Sequence, residues 1–174
     1  MKEQFSKVHD DKMVRKLSKF TIETDETIPL NYLLGVRSEG MNQLGIGMMR
    51  SMASMRDLVM TIFKYNGYTL GEKVKFAKGS LLSLKYLNKI LMKTDLIGEV
   101  SNLEIPIYIF QGKYDYQASY LIAREFITKM KAPTKGFYTF EHSAHSPNYE
   151  ESDKMCEIIK VDVLHNQVSM ADVQ

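Results

Sequence analysis

IPIYIFQGKYDYQASYLIAREFITKMKAPTKGFYTFEHSAHSPNYE, residues 105–150, decides the fold of this 174-residue chain. It opens on an unbroken apolar run, Ile105 to Phe110, rich in β-branched and aromatic side chains. Such a run suits a strand buried on both faces of a parallel sheet, where neither side has to meet water. QGKYDYQAS then reads as a loop, and a helix is expected from about Ser119 to Met130. Pro133 breaks the chain, KGFYTFE reads as a second strand, and a last helix is expected over roughly Glu150 to His165. A strand–helix–strand connection of this kind gives parallel neighbours with a right-handed crossover.

In a parallel sheet covered by helices, reactive groups gather beyond the carboxyl ends of the strands. Asp115 lies five residues past Phe110 and His145 five past Phe140. Both therefore belong to loops at one sheet edge, where adjacent strands lie about 5 Å apart. A buried Asp accepting an imidazole N–H fixes the ring's tautomer and stabilises the imidazolium formed in base catalysis. His142, two residues past Phe140, competes with His145 for the role of base. Ser143 and Ser146 flank these histidines without the glycines that would expose a nucleophile on a sharp turn, and both read as loop residues.

The nucleophile is missing. A serine held on a strained strand-to-helix elbow needs G-x-S-x-G. GVRSEG, Gly35 to Gly40, has one residue too many before Ser38 and lies in a helical pattern. GIGMMR lacks the third glycine of a dinucleotide fingerprint, and no HGGG-type oxyanion loop is found. The scattered histidines and single cysteine have no metal-ligand spacing, so neither metal nor cofactor is expected. Cys156, beside Met155 and Ile159, reads as a buried inert thiol. The chain reads as the rear portion of a hydrolase, carrying an acid and a base.

Before Leu103 the pattern is helical. Phe5, Val8, Met13, Val14 and Leu17 fit one apolar helical face between Glu3 and Leu17. Pro29 suits the first turn of a second helix carrying Leu30, Leu33, Leu34 and Met41, ended by GMNQLGIG. A third helix is expected from about Met52 to Tyr65, with Met55, Leu58, Val59, Ile62 and Phe63 as its stripe. Thr69 and Glu72 form a capping box. The helix they open is expected to kink or break at Gly79-Ser80, before a further stripe of Leu81, Leu84, Leu87, Ile90 and Leu91. The methionines of MMRSMASM, Met48 to Met55, read as flexible packing.

The segment PIYIFQGKYDYQAS…AREFITKMKAPTKGFYTFEHSAHSPNYEE closely resembles the C-terminal end of α/β-hydrolase-fold enzymes of the proline iminopeptidase-like group. There an apolar strand runs into a G-x-x-D turn that supplies the triad acid. A helix, an A-P-x-K segment and a second strand then lead to the turn that supplies the histidine. The resemblance implies that the acid is Asp115 and the base His145, not His142. The R-x-x-G-x-x-x-L-G-x-G string (Arg37, Gly40, Leu44, Gly45, Gly47) resembles part of the cap inserted in such enzymes.

A partial α/β-hydrolase fold, class α/β, is therefore expected: a helical cap-like region over 1–98, the rear of the core over 99–166 and a frayed tail over 167–174. The strands bearing the nucleophile and oxyanion loop would precede residue 1. The resemblance implies, for the full-length family, a small-molecule or peptide substrate, cleaved at an ester or at an amide next to a small N-terminal residue; without a nucleophile this chain alone is expected to be inactive. A non-catalytic binding module using the helical region is the alternative.

The net charge of +2, from 23 basic and 21 acidic side chains, argues against nucleic acid or anionic membrane as partner. MKEQFSKVHDDK has no apolar core for a secretory signal, and no run approaches the roughly 18–20 apolar residues of a bilayer span. A cytoplasmic location is expected. A two-stranded sheet is marginal alone, so the chain is expected to form a homo-oligomer or to associate with a missing N-terminal half.

Overall fold

A computed structural model describes residues 1–20, 31–51, 55–91 and 93–173. The chain divides into two compact units, one formed by Met1–Gln43 and Ala53–Thr94, the other by Leu44–Met52 and Asp95–Gln174. The architecture is mixed α/β: helices dominate, and among the described residues two parallel strands form a small open sheet.

The first unit is helical, as the periodicity predicts. The single helix expected from Glu3 to Leu17 is instead two, α1 (Lys2–Lys7) and α2 (Asp11–Ser18). Between them His9 takes φ 57°, and the Asp10 carboxylate accepts the Met13 N–H at 2.9 Å as the cap of α2. Such a cap is worth about 1 kcal/mol. The break turns Phe5, Met13 and Leu17 into the core with Tyr32 and Met41, whereas Val8 is left exposed. A π-helical turn, Tyr32–Arg37, leads into α3 (Ser38–Gln43), so Gly40 and Met41 lie inside a helix and the loop starts at Leu44. Lys16 braces α2 against Glu39 at 2.7 Å. Pro29, Leu30 and Met52 lie outside the described residues, as do the side chains of Met55 and Leu58.

Helix α4 spans Met55–Lys64 and α5 spans Leu70–Leu91. The capping box forms: Thr69 N–H donates to Glu72 Oε2 at 2.8 Å and Glu72 N–H to Thr69 Oγ1 at 3.3 Å. Gly79-Ser80 does not break α5. A mid-helix glycine costs about 1 kcal/mol relative to alanine, less than abandoning the hydrogen bonds of a capped helix of this length. The apolar stripes form but find little cover: Val59, Phe63, Leu81, Leu87, Ile90 and Leu91 are all exposed.

In the second unit, after the short α6 (Leu96–Glu99), β1 (Ile107–Gly112) and β2 (Lys135–Phe140) run parallel, with Ile107 opposite Lys135 and Gly112 opposite Phe140. Helix α7 (Tyr120–Lys129), between Ser119 and Met130, makes the crossover. On one sheet face Phe110 stacks on Tyr138 at 5.3 Å and meets Phe140 at 6.1 Å, over Ile158 of α9 (Ser152–Val161), which follows the one-turn α8 (Pro147–Glu150). On the other, Phe137 packs edge-on to Tyr120 at 5.5 Å, and Ile127 of α7 is buried. Lys135 Nζ caps the end of α7, donating to the carbonyls of Ile127 and Met130 at 3.2 Å each.

The structure corrects three further expectations. Strand β1 is not buried on both faces: residues 107–110 are half-buried and Ile105 is exposed outside the strand, because β1 lies at the sheet's edge. Cys156 is exposed, on the face of α9 opposite Ile158. Up to Val173, the last described residue, the tail does not fray. Asp172 N–H donates to the Phe137 carbonyl at 2.8 Å and Phe137 N–H to the Val173 carbonyl at 3.0 Å, while Asp172 Oδ2 accepts Thr139 N–H at 2.5 Å. Residues 172–173 thereby cover the outer edge of β2. Among the described residues, no helix is long and apolar enough to cross a membrane.

Candidate acid–base site

The loops beyond β1 and β2 carry the two predicted residues to one place. The strands end together, and Gly112 lets them do so: a Cβ there would sit 2.6 Å from the Ser143 carbonyl oxygen and closer still to that of Ala144. Asp115 then folds its own loop. Its Oδ1 accepts the N–H groups of Gln117 at 2.8 Å and Ala118 at 3.0 Å, the side-chain-to-backbone pattern natural to Asp in turns. Its Oδ2 accepts from Gln111 Nε2 at 2.8 Å and meets His145 Nδ1 at 2.9 Å.

Asp115 is 5% exposed, whereas the His145 side chain is 40% exposed. A carboxylate that receives four hydrogen bonds is fixed and desolvated. The imidazole has one nitrogen held and a ring open to solvent. The hydrogen bond to Asp115 raises the His145 pKa above the ordinary imidazole value, and partial burial pulls the other way. His142 is exposed and makes no hydrogen bond to Asp115, its backbone N–H being held by Glu151 at 3.0 Å. The structure thus pairs Asp115 with His145.

The neighbouring serines are occupied. Ser143, fully buried, donates its hydroxyl to Glu151 Oε2 at 2.6 Å, and Ser146 donates to Met48 Sδ at 3.2 Å. Neither presents a free hydroxyl as a nucleophile. No group of three or more His, Cys, Asp or Glu that could hold a metal ion occurs among the described residues.

Several site residues escaped the sequence reading. Leu44–Met52, expected to belong to a cap, groups with the second unit and straps both loops. Gly45 bends the strap at φ 63°, a conformation glycine adopts freely. The Ile46 carbonyl accepts Tyr116 N–H and the Gly47 carbonyl accepts His145 N–H, both at 3.2 Å. The Arg50 guanidinium lies 3.5 Å over the Tyr114 ring. Glu150 ties strap to loop, accepting Arg50 N–H at 2.6 Å and Ala144 N–H at 2.8 Å. The repeated glycines of LGIG were the one available signal: they mark close backbone approach, though not what is approached.

The chain is similar to the probable aminopeptidase YbaC of Bacillus subtilis (strain 168), 29% identical over 86 residues. That stretch is 49% of this chain and 27% of the relative, so the match spans about a quarter of the relative's length. No family model matches the chain, and no solved structure matches it. The similarity supports a hydrolase relationship at the coarsest level.

Proposed function

We propose that Asp115 and His145 are the acid and base of a serine-type hydrolase, acting on an ester or on an amide next to a small N-terminal residue, whose nucleophile lies outside these 174 residues. The observation that carries this reading is the 2.9 Å contact between His145 Nδ1 and the buried Asp115 carboxylate. An ionised carboxylate can only accept, so Nδ1 carries the proton and Nε2 keeps its lone pair. Nε2 would take the proton of an attacking hydroxyl and return it to the leaving group, while Asp115 stays ionised and stabilises the imidazolium between the two steps. The similarity to a probable aminopeptidase supports the amide side of this reading. On the same reading, the outer edge of β1 receives a further strand, from a longer polypeptide or a second copy. The exposed stripe of α5 favours one other reading, a binding module that covers this stripe with a partner.

The assay is hydrolysis of a p-nitrophenyl ester and an aminoacyl p-nitroanilide by the 174-residue chain. Its rate is expected to equal that of His145→Ala, because an acid and base without a nucleophile have no acyl group to transfer. Turnover well above that of His145→Ala would overturn the external nucleophile, and its further loss in Ser143→Ala or Ser146→Ala would locate one in this chain.

A further inference from the structure

We propose that Gln111 is a positioning residue of the pair: its side-chain amide holds the Asp115 carboxylate in the orientation that receives His145. This rests on the reading of Asp115 and His145 as acid and base. Gln111 follows Ile107 and Ile109 on the same face of β1 by strand alternation, a position where a third apolar residue would be ordinary. A buried amide there costs free energy unless its hydrogen bonds are made. Both N–H bonds are made: Gln111 is 7% exposed, and Nε2 donates to Asp115 Oδ2 at 2.8 Å and to the Ala118 carbonyl at 2.9 Å. With both N–H bonds engaged, the planar amide cannot turn without losing both.

The two carboxylate oxygens have separate keepers. Oδ1 is held by the backbone of Asp115's own loop, through Gln117 and Ala118. Oδ2 is held by side chains, those of Gln111 and His145. His145 is half in solvent, while Gln111 is part of a strand whose register is fixed opposite Thr139. Gln111 therefore sets the position of Oδ2 independently of the imidazole. The competing role is a plain brace, in which the bond to Ala118 merely closes the loop and Asp115 would keep its place without Gln111.

The test is an NMR titration of the histidine rings in the whole chain, comparing wild type with Gln111→Met and Asp115→Asn. Methionine keeps the length of the side chain and brings no charge, and Glu150 and Glu151 beside the base are untouched. Gln111→Met is expected to lower the His145 pKa by at least half of the drop seen in Asp115→Asn, with His142 unmoved. An unchanged or raised His145 pKa would overturn the proposal and leave Gln111 a brace. Should the methionine variant not fold, Gln111→Asn, one methylene too short for both bonds, decides by the same criterion. A His145 pKa that Asp115→Asn itself fails to lower would sink the underlying pair, a result separable from failure of Gln111 alone.

Discussion

Gly112→Ala is expected to destabilise the second unit by about 3 kcal/mol, at the top of the usual range for overpacking, and to open the acid–base pair. The added methyl would meet the carbonyl oxygens of Ser143 and Ala144, both backbone atoms of the base loop. A side chain could rotate away, but a carbonyl moves only with its chain. His145 follows Ala144 directly, so any withdrawal of that loop carries the imidazole from Asp115. Urea denaturation reads the loss of stability, and the His145 ring signals read the opening. A shift within about 0.5 kcal/mol, the scale of an ordinary surface substitution, would show that the loops do not meet at Gly112.

Asp162→Ala is expected to cost a similar amount, about 3 kcal/mol or more, with no direct effect on the acid–base pair. Asp162 is fully buried and accepts from Tyr138 Oη at 3.0 Å, from Ser169 N at 3.0 Å and Oγ at 2.6 Å, and from Met170 N at 2.8 Å. Truncation removes one acceptor and strands several donors, each worth roughly 1–3 kcal/mol when left unpaired. Burial on its own would raise the Asp162 pKa, but the hydrogen bonds from Ser169, Met170 and Tyr138 outweigh it and leave the pKa lowered. A carboxyl more acidic when folded stabilises above its unfolded value, about 3.9, and that contribution is lost as pH falls through the folded value. The stabilities of wild type and Asp162→Ala should therefore converge in acid, below about pH 4. A gap that stays constant into strong acid would contradict the clasp.

The rear half of the chain was legible because its signals are local and mutually consistent. Ile107 to Phe110 and Phe137 to Phe140 read as strands, Pro133 separated them, and equal offsets placed Asp115 and His145 at one edge. The helical half was legible in kind but not in breaks. Nothing at Val8-His9 marks a turn by composition: His9 turns the chain after α1 at φ 57°, and the Asp10 cap then opens α2. At Gly79-Ser80 the opposite error arose, since a breaker residue yields to a well-capped helix. Long-range backbone contacts left the least trace. The strap's carbonyls at Ile46 and Gly47 bond the acid and base loops, yet a carbonyl has no side-chain signature. The ordered tail was missed for the same reason: Asp172 and Val173 are held chiefly by main-chain bonds to Phe137. Burial of β1 was overread, because composition records what a strand suits and not whether a neighbour covers it.

Asp115 and His145 are proposed to act as one unit, and the His145 pKa reads their coupling. In the wild-type chain the hydrogen bond to Asp115 raises it above the ordinary imidazole value. The folded state is thus favoured by protonated His145 below the unfolded value, about 6.5, and this contribution fades as pH rises through the folded value. In Asp115→Asn the carboxylate is gone while the partial burial remains, so the pKa should drop to the ordinary value or below it, with His142 unchanged as the internal reference. A His145 that titrates alike in wild type and Asp115→Asn would show that the two residues do not act together.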